Sequence, residues 1–273
     1  ICDHPGIDAV SFVGSTKVAK IVYQRATSNL KRALCLGGAK NHLIVLPDAN
    51  EEMTASDVAA SMTGCAGQRC MAASAMVAVG KVDSIIDKLC EETKKIIPGK
   101  NLGAIISKQA KERIEGYITE AEEQGAKILV DGRGARVKGK ENGYYVGPTV
   151  IDFVTPDMKI AQEEVFGPVL AILRTSTLDE AIEIENNSPY GNAASVFTQS
   201  GRLAKYVADH ASAGMIGVNI GVPVPREPFS FGGWNESKFG TGDITGESSI
   251  EFWTKLKKTT TKWNPEARTN WMS

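Results

Sequence analysis

The sequence predicts an α/β fold built on a largely parallel sheet. Short apolar runs of strand length alternate with amphipathic stretches of helix length, and Gly- or Pro-bearing breaks separate the two. Residues 9–13 read as a short buried strand, followed by Gly14-Ser15-Thr16 and a helix over about 17–27, where Val18, Ile21, Val22 and Ala26 recur at helical spacing. Residues 43–46 form a second buried strand, stopped by Pro47-Asp48, and a helix over about 51–62 follows. The small and apolar run 72–79 precedes a helix over about 83–96. Residues 108–124 are amphipathic, with Ile114, Ile118 and Ala121 on one face, and Gly125 suits the end of that helix before a strand over 126–130. Residues 131–144 read as an exposed loop or hairpin. Alternation then resumes: strand 169–173, helix 178–186, strand 193–198, helix 201–212 and strand 215–219. A long loop rich in Gly and Pro covers 221–246, and the alternating Ile250, Phe252, Thr254 and Leu256 predict a terminal strand over 249–263.

With 273 residues, 42% hydrophobic and 23% charged, the chain can bury a sizeable core in one or two domains. A formal charge of −1 provides no electrostatic footprint for nucleic acid or an anionic membrane surface. No apolar run approaches the roughly 20 residues of a membrane span. The cysteines, Cys2, Cys35, Cys65, Cys70 and Cys90, form no CxxC pair, and only His4, His42 and His210 could join them, so no metal site is expected. Reduced thiols in an intracellular compartment fit this pattern. The chain opens on Ile1-Cys2-Asp3-His4-Pro5, with a strand almost at once, and reads as entered midway through a domain.

Three places carry candidate chemistry. Cys70, in Gly67-Gln68-Arg69-Cys70, has a cation beside it and small residues after it, which suits a nucleophilic thiolate; an inert buried thiol is the alternative. Gly14-Ser15-Thr16, at a strand-to-helix turn, could bind a phosphate with its backbone N–H groups, or could simply cap the helix. No GxGxxG fingerprint accompanies it. Glu163-Glu164-Val165-Phe166-Gly167-Pro168 offers carboxylates and an aromatic ring to a ligand, or else is a solvated helix end entering a strand.

Taken together, the segments resemble the aldehyde dehydrogenase superfamily. They occur in that family's order: Phe12 to Thr16, Leu36-Gly37-Gly38, Gly67 to Cys70, Glu163 to Pro168, Tyr190-Gly191-Asn192-Ala193 and Phe231-Gly232-Gly233-Trp234. The resemblance runs over essentially the whole chain but covers about the C-terminal half of the family fold. It implies residues 1–38 as the end of a Rossmann-type NAD-binding domain and 39–238 as a parallel-sheet catalytic domain. Residues 239–273 would be a return segment with an oligomerisation strand at about 250–263 and a tail. It also implies Cys70 as nucleophile, Gly14 and Ser15 near the cofactor pyrophosphate, and Leu36 and Gly37 at the cofactor's reactive end. Glu164 would hold the nicotinamide ribose and Phe166 would wall the nicotinamide, while Arg69 and Asn219 face substrate.

One departure narrows the branch. Where hydrolytic members carry a water-activating Glu before Leu-Gly-Gly, this chain has Cys35. That resembles the CoA-acylating methylmalonate-semialdehyde dehydrogenases, as do Gly38-Ala39-Lys40-Asn41-His42, Pro47-Asp48-Ala49-Asn50 and Val222-Pro223-Val224-Pro225. The implied activity is NAD-dependent oxidation of malonate or methylmalonate semialdehyde, loss of CO2, and transfer of the acyl group from Cys70 to coenzyme A. A hydrolytic semialdehyde dehydrogenase using NAD(P), and an inactive fragment of the fold, are the alternatives. A homodimer or homotetramer is implied for the complete protein. Its compartment, bacterial cytoplasm or mitochondrial matrix, stays open.

Overall fold

The computed structural model describes residues 1–263. In chain order the elements are β1 (Ala9–Val13), α1 (Thr16–Ser28), β2 (Arg32–Leu36), β3 (Asn41–Val45), α2 (Glu51–Thr63), a 3-10 turn (Gly64–Gly67), β4 (Ala73–Val79), α3 (Asp83–Lys94), α4 (Lys108–Glu123) and β5 (Lys127–Val130). There follow β6 (Thr149–Asp152), α5 (Lys159–Gln162), β7 (Val169–Thr175), α6 (Leu178–Asn186), β8 (Tyr190–Gly191), β9 (Ala193–Phe197), α7 (Gly201–His210), β10 (Met215–Val218), β11 (Trp234–Asn235), β12 (Lys238–Phe239) and α8 (Gly246–Trp253).

The main sheet has seven strands in the order β10-β9-β3-β4-β7-β6-β5. Every pair is parallel except β5 with β6. Its central strands are buried on both faces, as helices on either side of a parallel sheet require. In β3 the side chains alternate between two cores: Leu43 and Val45 face α2 and α3, with Met62 and Leu89, whereas Ile44 meets Ala181 of α6 and Val207 of α7. A third core lies under α4, where Ile114 and Ile118 meet Ala171 and Leu173 of β7. A smaller sheet, β1-β2-β12, carries α1 on one side through Val10, Ala26 and Ala33. Among the described residues, no helix is long and apolar enough to cross a membrane.

The register of the main sheet fixes where loops meet. The adjacent strands β9, β3, β4 and β7 begin at Ala193, Asn41, Ala73 and Val169, and Asn41 pairs with Ala73. Being parallel neighbours, their entry loops lie side by side at one edge. That edge therefore gathers Asn192, Asn41, Cys70 to Ala72, and Glu164 to Pro168.

The predicted terminal strand over 249–263 is corrected. Residues 246–253 are helix, and 254–263 have no regular structure; 264–273 lie outside the described residues. Alternation in sequence supports a strand only where a neighbouring strand supplies hydrogen bonds and a face to bury. Here Phe252 is buried, while Ile250 and Leu256 are 65% and 85% exposed. The helix instead closes on β2, where Arg32 Nη1 donates to the carbonyls of Glu251 and Thr254 at 3.3 and 2.9 Å. Residues 131–144 hold turns without a hairpin.

Candidate active site

Cys70 sits half-buried where the chain enters β4. The turn before it is left-handed through Cys65, Ala66 and Gly67, with φ of 54°, 54° and 68°. That conformation suits glycine and costs other residues energy. It brings Gly67 against the neighbouring loop so closely that a Cβ there would lie 2.0 Å from the Gly167 carbonyl oxygen. The thiol and the Glu164–Phe166 segment are thereby held face to face across a narrow cleft, lined also by Ala39, Asn41 and Arg69. Phe166 reaches this position through a left-handed φ of 53° and is 38% exposed.

Burial pushes the Cys70 thiol above its ordinary value. The backbone N–H groups of Cys70 and Met71 and the Arg69 guanidinium oppose that rise, and the charge of Glu164 adds to it. Glu164 is itself raised by burial, with the Ala39 N–H and the nearby Lys40 and Arg113 acting against the shift. Lys40 is buried, and its Nζ donates to the carbonyls of Ile160 and Glu163 at 2.6 and 3.0 Å. Its burial lowers it to about 7 against the pull of Glu164 and Glu163. His42, buried beyond it, is lowered to about 3 by burial and by Lys40, and is neutral near pH 7.

Packed backbone contacts connect this cleft to the N-terminus of α1. Gly14 N–H donates to the Leu36 carbonyl at 3.1 Å. Thr16 Oγ1 accepts from Gly38 N–H at 2.9 Å and donates to the Glu236 carbonyl at 3.2 Å. A Cβ on Gly38 would meet Glu164 Oε2 at 2.8 Å and Thr16 Oγ1 at 3.4 Å. Gly37 is equally tight, its absent Cβ 2.5 Å from the Glu236 carbonyl oxygen. Gly14, Ser15, Leu36 and Gly37 are thus held together around Thr16, while Glu164 and Phe166 line the cleft with Cys70. Ser15 occupies the N-cap of α1 without a side-chain capping bond, and the first turn carries no acidic residue. Glu236, whose backbone carbonyl accepts from Thr16, has its carboxylate paired with Lys20 Nζ at 2.7 Å.

Arg69 Nη2 donates to the carbonyls of Ala60 and Ser61 at 3.3 and 2.9 Å, while its Nε is buried without a partner. Asn219 has its amide engaged elsewhere. Its Oδ1 accepts from Thr198 N–H and its Nδ2 donates to the Thr198 carbonyl, both at 2.9 Å. The turn it ends returns Val222 to the apolar cluster containing Cys70, Met71 and Phe231. Cys35 is buried in β2, and its thiol is pushed up to about 11 by burial. Among the described residues, no group of His, Cys, Asp and Glu is placed to hold a metal ion.

Sequence reasoning assigned no individual role to Lys40, Asn41, Asn192 or Ser237. Ser237 is buried, with Oγ donating to the Gly38 carbonyl at 2.7 Å and accepting from Gly191 N–H at 3.1 Å. The available signal was polarity out of place: Lys40, Asn41 and Asn192 stand at the mouths of strands whose residues are mostly apolar.

Comparison with known proteins places this arrangement. The chain is 46% identical to the human mitochondrial methylmalonate-semialdehyde/malonate-semialdehyde dehydrogenase [acylating], over 98% of this chain and 51% of that protein. It is 44% identical to malonate-semialdehyde dehydrogenase 2 of Bacillus thuringiensis, over 96% of this chain and 55% of that protein. A solved structure of a methylmalonate-semialdehyde dehydrogenase (named there as putative) from Sinorhizobium meliloti, complexed with NAD, superposes with a TM-score of 0.94 at 43% identity, over 97% of this chain and 55% of the other. The chain spans about half the length of the curated relatives it matches. The profile described as aldehyde dehydrogenase family matches residues 1–259, and with the site geometry above it establishes that this chain belongs to the aldehyde dehydrogenase family.

Proposed function

We propose that the protein carrying this chain oxidises malonate or methylmalonate semialdehyde with NAD and passes the acyl group to coenzyme A. One observation carries the reading. Cys70 lies in a cleft against Glu164 and Phe166, while the position expected to hold a water-activating carboxylate is the buried thiol of Cys35.

The residues present fit a dinucleotide. The uncapped N-terminus of α1 at Ser15 suits a pyrophosphate, and the missing Cβ atoms of Gly37 and Gly38 let β2 end packed against Thr16 and Glu164, which would set Leu36 and Gly37 at the cofactor's reactive end. Glu164 would hold the nicotinamide ribose, and Phe166 would stand against the nicotinamide ring. Bound NAD supplies the hydride acceptor that oxidises the aldehyde carbon.

The chain's own residues do the rest. Cys70 thiolate attacks the aldehyde carbon, forming a C–S bond and an oxyanion that the Cys70 backbone N–H stabilises. The oxidised acyl group stays on Cys70 as a thioester and loses its carboxylate as CO2, the electron pair left on the α-carbon passing through the thioester enolate and taking a proton from water. The thiol of coenzyme A then attacks the thioester carbonyl, releasing acetyl- or propionyl-CoA and regenerating Cys70. A thiol is partly ionised near neutral pH and needs less help than water, which accords with a thiol in place of a base. The unpartnered Arg69 Nε suits the substrate carboxylate. Asn219 shapes the pocket through the turn that delivers Val222. The complete protein would assemble as a homodimer or homotetramer.

Product analysis of the full-length protein, with and without coenzyme A, tests the reading. Acyl-CoA and CO2 are expected, and Cys70→Ser abolishes turnover. Free acid formed at full rate without coenzyme A would support a hydrolytic dehydrogenase instead.

A further inference from the structure

Two buried amides converge on one backbone oxygen beside the nucleophile. Asn41 Nδ2 donates to the Cys70 carbonyl at 2.7 Å and to the Ala72 carbonyl at 2.8 Å. Asn192 Nδ2 donates to the same Cys70 carbonyl at 2.9 Å and lies 3.4 Å from Asn41 Oδ1. These side chains are 5% and 8% exposed and come from different strand entries, at β3 and β9. Asparagine is a poor strand residue, and burying its amide is unfavourable unless the amide is partnered. Apolar residues of similar size would fill the same space. Both lone pairs of the Cys70 carbonyl are instead taken by side-chain donors.

The Cys70–Met71 peptide links that oxygen to the sulfur. In a trans peptide the C=O of Cys70 and the N–H of Met71 point in opposite directions. Anchoring the oxygen inward turns the Met71 N–H to the opposite side, and the backbone N–H groups of Cys70 and Met71 act against the rise that burial imposes on the thiol. We propose that Asn41 and Asn192 are a positioning pair, an amide clamp on the Cys70–Met71 peptide that holds the Met71 N–H on the nucleophilic sulfur and favours its thiolate. Neither amide donates to the sulfur itself. The proposal rests on Cys70 being the nucleophile.

The test is the pH dependence of iodoacetamide alkylation at Cys70 in the full-length protein, resolved by peptide mass spectrometry. The charged groups facing Cys70 are Arg69 on its own turn and Glu164 on the neighbouring loop, and neither is altered. Asn41→Leu and Asn192→Leu each move the midpoint upward by roughly half to one pH unit, a slowing of about three- to tenfold at pH 7, and the double variant moves it further. Ser61→Ala is the control. Ser61 Oγ accepts from Ala73 N–H at 3.0 Å and donates to the Gly221 carbonyl at 2.5 Å, so its loss loosens the same strand entry without touching the Cys70 carbonyl. It lowers the melting temperature and leaves the midpoint in place. An unmoved midpoint in a folded asparagine variant overturns the clamp, and so does an equal shift in Ser61→Ala. Should a leucine variant not fold, Asn192→Ser replaces it with the same expectation. Turnover retained by Cys70→Ser would overturn the nucleophile assignment instead, and the alkylation profile remains readable in that event.

Discussion

Replacing Gly67 by alanine asks how firmly the thiol turn and the glutamate loop hold each other. Gly67 has a φ of 68°, and an added Cβ would lie 2.0 Å from the Gly167 carbonyl oxygen and 2.7 Å from the Pro168 nitrogen. Those are backbone atoms leading into β7, so relief requires the two strand entries to part. Left-handed backbone costs an alanine about 1 kcal/mol. Overpacking a filled contact adds about 1–3 kcal/mol. The sum, about 3 kcal/mol, is a large share of the ~5–15 kcal/mol that stabilises a typical domain. Urea unfolding of the full-length protein should show that loss, with turnover reduced roughly tenfold or more as Glu164 and Phe166 withdraw from Cys70. Gly116→Ala is the matched comparison. Gly116 lies within α4 with nothing near its absent Cβ, and the change should stabilise by about 0.5–1 kcal/mol. A Gly67→Ala protein within about 1 kcal/mol of wild type and with unchanged turnover would refute the interlocking of the two loops.

Other outcomes follow from buried groups. Lys40 is lowered to about 7 when folded, below its ordinary 10.5, so between those values the unfolded chain binds the extra proton and stability rises with pH. Lys40→Met removes that rise, and the wild-type advantage in urea unfolding should grow by on the order of 2 kcal/mol from pH 7 to 9.5; a constant difference would sink the argument. Arg174 donates to buried Asp152 through Nε and Nη2 at 3.0 and 2.8 Å, so Arg174→Ala should destabilise by about 3 kcal/mol in thermal unfolding. Cys35→Ala should cost about 1 kcal/mol while leaving CoA-dependent turnover intact, and a tenfold loss of turnover would show that its thiol takes part.

The alternation of strands and helices was legible because both periods are local. Residues 43–46 and 169–173 are unbroken apolar runs, and α4 shows its buried face in Ile114, Ile118 and Ala121. The strands Arg32–Leu36 and Thr149–Asp152 escaped notice, since each is short and part of its run is polar. The terminal segment was misread for a related reason. Its alternation satisfied the strand pattern, but the hydrogen-bonding neighbour that makes a strand is not written in the segment itself.

The sequence by itself determined the fold class, the ordered motifs that identify the family, and the substitution of Cys35 for a carboxylate. Those are properties of residue type and spacing along one chain. Tertiary structure alone decided that Cys70 faces Glu164 and Phe166, that the Asn219 amide is engaged at Thr198, and that Asn41 and Asn192 share the Cys70 carbonyl. The reason is register. Residues about 30 to 120 positions apart, as Asn41 and Asn192 are from Cys70, meet only because four parallel strands begin at the same edge of one sheet.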